Sequence, residues 1–390
     1  MTFYRNVLGG RSGTIGLVVL ALFLLVALPL SIDAFRLNMV SKYLSLAFVA
    51  IGLVMCWGHG GILSLGQGLF WGLGGYCMAA FLKLEAAANI ANEAGSDQLK
   101  ALSTVGLPDF MDWNQITELP WFWYPFKSLP ATLALILIVP TVLAYIVGTA
   151  MFKRRVTGVY FAIITQALAW AMEILFVTRQ GWTGGINGIT DLRTMLGWDI
   201  RSDSAQMILY FATVSGLLLC ILVGRWLLNT KYGRLLMAVR DMEERVRFSG
   251  YDVANLKTFI FCFAAMISAV GGAFYVLNVG FMSPKLVTIE PSVYMVIFCA
   301  VGGRMSLIGA VYGTLIVCFG RTFFSEQFPA LWYFLMGSVF ILVTMAFPEG
   351  LAGLVNKWGP WLWTRCTRLW SSGPKSPPVP PATVAGGSAP

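Results

Sequence analysis

The sequence predicts an all-α integral membrane protein, a polytopic bundle of about ten transmembrane helices with broken, glycine-rich segments. Hydrophobic residues make up 57% of the 390 residues and charged residues only 12%, about half the charged share of an ordinary soluble domain. Apolar runs long enough to cross a hydrocarbon layer of roughly 30 Å recur along the chain. Because the bilayer core holds no water to bond backbone N–H and C=O groups, these runs are expected to be helices.

The predicted spans form one transmembrane domain over residues 14–350. The first apolar run is followed by no small-residue cleavage motif, so it is predicted to be a retained span and not a signal peptide. Gly302, Gly303 and Gly309 interrupt the eighth and ninth spans, which are either two short helices or one broken segment. The spans are predicted at 14–32, 38–57, 62–83, 129–151, 158–178, 206–228, 257–279, 290–303, 305–320 and 330–347.

Basic residues cluster at alternate ends of these spans and set the predicted orientation. With ten crossings, every basic cluster falls on the cytoplasmic side. Residues 1–13, the loop at 229–257 and the tail at 351–390 are then cytoplasmic, and the acidic, aromatic-rich loop at 84–128 is periplasmic. The tail from about 371 onward is poor in apolar side chains and is predicted to be disordered.

The sequence shows no motif for catalysis or metal binding. It lacks the HExxH zinc motif, the GxSxG nucleophile turn and the GxxxxGK[ST] phosphate-binding loop. The seven cysteines lie mostly inside apolar runs without a CxxC pair, which is typical of small buried side chains. We therefore predict a protein that is not an enzyme, with no catalytic residue, metal site or cofactor of its own.

The glycine-rich segment GHGGILSLGQG at 58–68 is the first candidate for a solute pathway. Its glycines disfavour a helix. They either let neighbouring helices pack closely or break a helix and expose the backbone to a polar path. Ser64 and Gln67 are the candidate pathway residues here, and His59 is interpreted as a structural hydrogen-bonding group, not a proton relay.

A second glycine-rich segment, GWTGGINGITD at 181–191, follows the fifth span. It is interpreted either as a plain turn or as a gate at the outer mouth. Within the fifth span, the amide of Gln166 needs a polar partner, which is either a neighbouring helix or the solute. Glu173 is expected to pair with a neighbour such as Arg179. The predicted pathway residues are Ser64, Gln67, Gln166, Trp182, Thr183, Gly184, Gly185 and Asn187.

The charged stretch at 233–252 predicts a short amphipathic helix outside the lipid. Its pairs Asp241–Arg245 and Glu243–Arg247 have the acid-first i,i+4 spacing that supports an exposed helix, and Gly250 lies where such a helix ends. The stretch is either a solvated connector or a surface for a soluble partner. Its predicted apolar stripe consists of Leu235, Val239, Met242 and Val246.

Several motifs in order resemble the permeases of branched-chain amino-acid ABC importers: GHGGILSLGQGLFWGLGGY, GVYFAIITQAL, TGGINGITD, the charged stretch and FPEGLAGL. The likeness runs from about Met39 to Leu354, and GVYFAIITQA with ELPWFWYPF is most similar to the urea-type permease subunit. The resemblance implies alternating access across a bacterial inner membrane. It also implies a second, homologous permease subunit, two cytoplasmic ATPase subunits that bind ATP and Mg, and a periplasmic solute-binding protein.

The resemblance further implies that 238–250 is a coupling helix seated on an ATPase, whereas the solute is less strongly indicated. Urea is favoured because the polar residues predicted along the path are uncharged, but Ile186 departs from the urea-type pattern. A branched-chain amino acid or a short amide is the alternative, and a passive channel is less favoured. The residues expected at the ATPase are Ala238, Arg240, Asp241, Glu243, Glu244, Arg245 and Gly250.

Overall fold

The computed structural model describes residues 11–93, 107–156, 158–328 and part of 331–353. Helices dominate this part of the chain, and a two-residue antiparallel hairpin pairs β1 (Thr194–Met195) with β2 (Trp198–Asp199). In chain order the helices are α1 (Gly13–Ser31), α2 (Ala34–His59), α3 (Gln67–Glu93), α4 (Asp109–Trp113), α5 (Leu129–Lys153), α6 (Val159–Thr178), α7 (Gln180–Thr183), α8 (Asp203–Asn229), α9 (Lys231–Phe248), α10 (Val253–Val279), α11 (Ile289–Gly302) and α12 (Leu307–Gln327).

Within the described residues, eight helices are long and apolar enough to cross a membrane. They are α1, α2, α5, α6, α8, α10, α12, and α11 taken with the 3-10 turn at Pro284–Leu286 that precedes it. This confirms the predicted all-α membrane fold. The predicted last span at 330–347 lies mostly outside the described residues, as do 1–10, 94–106 and 354–390.

The third span differs from its prediction at both ends. It was expected at 62–83, but α3 begins at Gln67 and continues to Glu93, ten residues into the stretch predicted as an outer loop. It is not among the eight spanning candidates, because its glycines and polar residues lower its hydropathy. Its side chains are nevertheless almost all buried from Gln67 to Leu84, so protein surrounds this helix where lipid would surround a more apolar one.

Helix α10 is the centre of the bundle and packs against α2, α3 and α5. Small residues permit the closest of these contacts. A Cβ on Gly272 would lie 1.8 Å from the carbonyl oxygen of Trp71, and one on Gly74 would lie 2.1 Å from that of Ala269. Since real Cβ atoms cannot approach so closely, α3 and α10 touch backbone to backbone, as small-residue interfaces in membranes do.

Helices α11 and α12 are separate elements, which settles the predicted alternative in favour of two helices. α11 has 14 residues, about 21 Å at 1.5 Å per residue, which is less than a hydrocarbon layer. Gly303, with φ of 116°, makes the turn between them. A Cβ on Gly302 would lie 2.0 Å from the carbonyl oxygen of Gly309, so the glycines that interrupt the pattern also let the two helices touch.

Loops predicted on one side of the membrane meet at one end of the bundle. Lys83 forms an ion pair with Asp109 at 2.7 Å and donates to the carbonyl oxygen of Thr190 at 3.2 Å. At the opposite end, Gly58 packs against the carbonyl oxygen of Arg304. Loops predicted to share a side of the membrane therefore do lie at the same end of the bundle. Which end faces the periplasm and which the cytoplasm stays a prediction.

Candidate functional site

The helical path breaks between α2 and α3, inside the glycine-rich segment predicted as a solute pathway. α2 ends in a π-helical turn at Val54–His59, and regular helix resumes only at Gln67. Gly61 has φ of 69°, a left-handed conformation that residues with side chains rarely adopt. The residues from 60 to 66, which we call the broken segment, therefore interrupt the chain within the bundle.

The broken segment rises along α10 to its middle. Gly60 packs beside Ile260, and the Nε2 group of Gln67 donates to Ser268 Oγ at 3.0 Å. Ile260 and Ser268 are eight residues apart, which is about 12 Å along a helix. Ser268 lies near the midpoint of α10, so the polar end of α3 begins at mid-depth in the bundle. This is the depth at which broken helices of transporters hold their solutes.

Three buried polar atoms near this point have no hydrogen-bond partner among the described residues. They are Ser64 Oγ, Gln67 Oε1 and Trp71 Nε1. Gln67 and Trp71 are four residues apart and thus share one face of α3. A buried polar atom left unsatisfied costs about 1–3 kcal/mol, so three of them together favour a site that exchanges hydrogen bonds with a small polar molecule.

His59 lies fully buried in the π-helical turn, with its Nδ1 atom 3.1 Å from the carbonyl oxygen of Val54. This bond agrees with the structural interpretation of His59, and nothing tests a role in proton transfer. Among the residues that the structure describes, no group of three or more His, Cys, Asp or Glu could hold a metal ion. The six cysteines in the described residues are free.

The second glycine-rich segment is an ordered layer and not a simple turn. We call residues 180–192 the cover segment. Ile189 pairs with Met282 through two backbone hydrogen bonds of 2.8 and 2.9 Å, and the Leu192 N–H donates to the carbonyl oxygen of Gly280 at 3.2 Å. Gly188, with φ of 72°, is tight against the Met282 carbonyl oxygen. Met282 in turn packs against Gly72 and Gly75 of α3, and Lys83 of the same helix donates to the carbonyl oxygen of Thr190, so the cover segment is packed along α3.

The predicted residues of the cover segment occupy different environments. Gly185 is buried and Asn187 is exposed. Thr183 Oγ1 donates to the backbone carbonyls of Phe176 and Arg179. Trp182 packs edge-to-face on Phe122 at 5.3 Å. The structure thus brings Ser64 and Gln67 together, and it places Trp182, Thr183, Gly184, Gly185 and Asn187 in a separate layer.

Helix α6 carries Gln166 next to its contact with the broken segment. A Cβ on Gly66 would lie 2.0 Å from the carbonyl oxygen of Thr165, and Gln166 itself is half-buried. The expected pair of Glu173 with Arg179 is wrong. Arg179 instead lies 5.2 Å above the ring of Trp182.

The charged stretch forms helix α9, which is bent at Met242, where φ is −148° and ψ is 73°. Val239 and Val246 are buried against Val253 as the predicted stripe requires. Met242 does not belong to that stripe: its side chain is 54% exposed, because the backbone leaves helical geometry at this residue. Gly250, with φ of 86°, lies just beyond the helix end, as predicted.

Only one of the two predicted ion pairs of α9 forms. Arg247 binds Glu243 at 2.8 Å, and Lys257 of α10 also binds Glu243, at 2.6 Å. Asp241 pairs with its neighbour Arg240 at 2.8 Å, and not with Arg245. Because Glu243 holds two cations on two helices, it fixes α9 to the start of α10.

Arg240 joins α9 to the broken segment. Its Nη1 group donates to the carbonyl oxygen of Gly58 at 2.7 Å and lies 3.1 Å from Met305 Sδ in the turn between α11 and α12. Its Cγ atom packs on Gly61. The sequence predicted Arg240 at an ATPase, but only 20% of its side chain is exposed and it contacts the permease domain. The predicted ATPase contacts that remain exposed are Ala238, Asp241, Glu244, Arg245 and Gly250.

Residues 35–344 match the family model described as branched-chain amino acid transport system / permease component. The chain belongs to this family. It is 23% identical over 356 residues to the high-affinity branched-chain amino acid transport system permease protein LivM of Escherichia coli, covering 86% of this chain and 74% of the relative. These relatives are transport subunits and not enzymes.

Two other matches cover less of the chain. The probable branched-chain amino acid transport permease protein LivM of Methanocaldococcus jannaschii is 23% identical over 237 residues, 56% of this chain and 68% of the relative. The fructose import permease protein FrcC of Rhizobium meliloti is 26% identical over 180 residues, 44% of this chain and 49% of the relative. No solved structure matches.

Proposed function

We propose that the chain is the membrane-spanning permease subunit of an ATP-driven importer in a bacterial inner membrane. It moves its solute by alternating access, with both termini and α9 in the cytoplasm. The observation that carries the proposal is Arg240. This side chain links the helix that bears the exposed charged face to the Gly58 carbonyl and, through its Cγ atom, to Gly61 of the broken segment, which also holds Ser64. A motion of α9 is thereby passed to the pathway.

The exposed face of α9 is the proposed contact with the ATPase. Ala238, Asp241, Glu244 and Arg245 point away from the bundle, and Phe248 is largely exposed. ATP and Mg are bound by partner ATPase subunits, since the chain has no phosphate-binding loop. A second, homologous permease subunit completes the pathway against α6, whose side chains are mostly exposed here. A periplasmic binding protein delivers the solute.

A branched-chain amino acid is the first candidate solute, because the family model and the relatives named above carry that description. Urea is the second candidate. It is favoured by the likeness of GVYFAIITQA and ELPWFWYPF to the urea-type subunit, and by the uncharged donors and acceptors of Ser64 and Gln67. Urea offers N–H donors and a carbonyl acceptor but no charge, so such groups are sufficient for it.

Uptake by cells tests the proposal. A strain lacking this gene, with the partner genes intact, is given labelled leucine and labelled urea at low concentration, and the intact gene is then restored. We expect ATP-dependent uptake of one of the two solutes to return. Restored leucine uptake supports the amino-acid assignment, and restored urea uptake supports the second candidate. Uptake that persists after ATP depletion would contradict an ATP-driven permease and favour a passive channel.

A further inference from the structure

An apolar cavity of about 730 Å³ lies between α5, α8 and α10, at the predicted outer end of the bundle. α10 lines it with Val270, Ala273, Phe274 and Leu277, which have the i, i+3, i+4, i+7 spacing of a single helix face. Met78 of α3 lines it as well. The volume falls within the range of about 300–1,000 Å³ that is usual for small-molecule sites.

The cavity opens outward through the gap between α5 and α8. Both helices pack against α10 and have few contacts with each other. Leu133 of α5 and Ile208 of α8 line the cavity and are about half exposed, so the opening lies on a surface that meets hydrocarbon. Cavities with such apolar walls stay dry, and the bilayer core offers no water to fill this one. Its occupant is therefore apolar.

The β1–β2 hairpin closes the outer end of the cavity. Met195, Leu196 and Trp198 contribute to the lining, and the Gly197 N–H donates to Glu85 Oε1 of α3 at 2.8 Å, which fixes the hairpin in place. Leu196 and Gly197 have φ of 54° and 80°, the geometry of a two-residue turn that usually carries Asn-Gly. A leucine at this left-handed position gives the cavity one more apolar side chain.

Aromatic and charged residues surround this outer end. Trp198 is 64% exposed and Tyr124, just before α5, is 55% exposed; tryptophan and tyrosine concentrate at the headgroup level of a membrane. Six charged residues lie within four positions of a lining residue, three of each sign, and all are exposed. Such a balance matches a headgroup that carries both a phosphate and an ammonium. The six residues are Lys127, Asp191, Arg193, Asp199, Arg201 and Asp203.

We propose that the cavity binds a zwitterionic membrane phospholipid, with one acyl chain between α5 and α8 and the headgroup beside the hairpin. The lining residues of α5 extend from Leu129 to Leu137, about 12 Å along the helix, so the site holds the part of the chain next to the glycerol. The apolar cavity below a charged and aromatic rim follows the anatomy of such a lipid. The site is independent of which solute the protein transports.

The bound chain supports the central helix of the bundle. Ser268 and Gly272 of α10 contact α3, where Ser268 accepts the hydrogen bond from Gln67. The cavity lies against another face of α10, so this helix stands between the lipid and the candidate pathway. Removal of the lipid takes packing contacts away from α10. We therefore expect lipid to be needed for full stability of the purified protein.

The first test uses phosphatidylethanolamine with a photoreactive group in its acyl chain. The purified protein, with any subunits that remain bound, is placed in bilayers containing this probe, and labelled residues are identified by mass spectrometry. Lipids around the protein can reach the outer faces of α5 and α8, whereas α10 can be reached only through the cavity. We expect labelling at 270–277, reduced severalfold by an excess of unlabelled phosphatidylethanolamine. Labelling confined to the outer faces of α5 and α8 would overturn the proposal.

The second test fills the cavity. Ala212 lines it and is exposed, so Ala212→Trp adds a ring without crowding the buried core. Ala134→Trp is the matched control, because Ala134 is an exposed alanine of α5 that does not line the cavity. We expect Ala212→Trp to lower labelling of α10 severalfold and Ala134→Trp to leave it unchanged.

Thermal unfolding gives an independent measurement on the same variants. Detergent-washed wild-type protein and Ala134→Trp should gain several degrees in unfolding temperature when phosphatidylethanolamine is added, and Ala212→Trp should gain little. Equal gains for all three proteins would contradict a lipid site at this cavity. Loss of a bound membrane subunit from Ala212→Trp, with labelling of α10 unchanged, would show that the occupant is protein and not lipid.

Discussion

The two glycine-rich segments differ in how their polar groups are satisfied. In the cover segment the backbone is paired with residues 280–282, and the Thr183 hydroxyl is bonded to nearby carbonyls. In the broken segment and the start of α3, Ser64 and Gln67 are fully buried and keep polar atoms without partners among the described residues. Glycines thus fix the structure in one segment and leave binding capacity in the other. We therefore expect the cover segment to be architectural and the broken segment to take part in transport.

The largest expected effect comes from breaking the contacts that join α9 to the broken segment. Arg240→Ala removes the bond to Gly58 and the contact with Gly61. Because these connect α9 to the pathway, we expect solute uptake to fall at least about tenfold while the purified complex still hydrolyses ATP. ATP hydrolysis and uptake are measured on the same preparations. Arg234→Ala, an exposed change on the same helix, should leave both unchanged, and equal losses for the two variants would remove Arg240 from its proposed role.

A second substitution tests whether the cover segment is fixed architecture. Gly188→Ala places a methyl group 2.1 Å from the Met282 carbonyl oxygen at a φ of 72°. We expect a loss of stability of about 2–4 kcal/mol, since the clash adds to the cost of a left-handed alanine. Gly197→Ala has a similar φ with no atom nearby and should cost about 1 kcal/mol. Thermal unfolding in detergent measures both. A cover segment that tolerates Gly188→Ala as well as Gly197→Ala moves freely, contrary to the structure.

A smaller effect is expected at the polar start of α3. Gln67→Leu removes one hydrogen bond to Ser268 together with one unsatisfied oxygen, so the net change in stability should lie within about 1 kcal/mol. Uptake should nevertheless fall severalfold, because a donor and an acceptor leave the pathway. Gln166→Leu, at a half-buried position on α6, is expected to impair uptake less. Initial uptake rates at equal protein level give the comparison, and a larger loss for Gln166→Leu would place the pathway nearer to α6.

The smallest effect concerns pH at the edge of the cover segment. The hydrogen bond from Arg193 at 2.7 Å, with the charge of Arg201, lowers the pKa of Asp191 below its usual value. A lowered folded-state pKa gives stability that is present above the unfolded pKa of about 3.9 and lost as pH falls through the folded value. The pair is exposed, so solvent screens it and the effect is small. Asp191→Asn should lower the unfolding temperature slightly at pH 7 and not at all once the pH lies below the folded-state pKa of Asp191.

The sequence predicted the helices well where a span is uniformly apolar, because backbone bonding in lipid leaves no alternative to a helix. It misplaced both ends of α3, whose glycines and polar residues are buried inside protein from Gln67 to Leu84. It also could not foresee the bend at Met242, two residues after Arg240, whose side chain contacts Gly58 and Met305. Local spacing describes an ideal helix, whereas these contacts are made between distant parts of the chain.

For the candidate site, the sequence identified Ser64 and Gln67 through the glycines around them. It did not predict that the Arg240 side chain points into the bundle, because a charged residue on an amphipathic helix is expected to face solvent.

The backbone contacts of α3 also bear on how this protein can change over generations. Gly72 and Gly74 of α3, and Gly66 just before it, each have a neighbouring atom within about 2.5 Å of where a Cβ would lie. Nearly every substitution at these positions should therefore be selected against. Mutational tolerance along the helix should therefore alternate sharply between forbidden glycines and permissive positions. New solute preferences would have to arise at polar side chains such as Ser64, on a scaffold that itself stays constant.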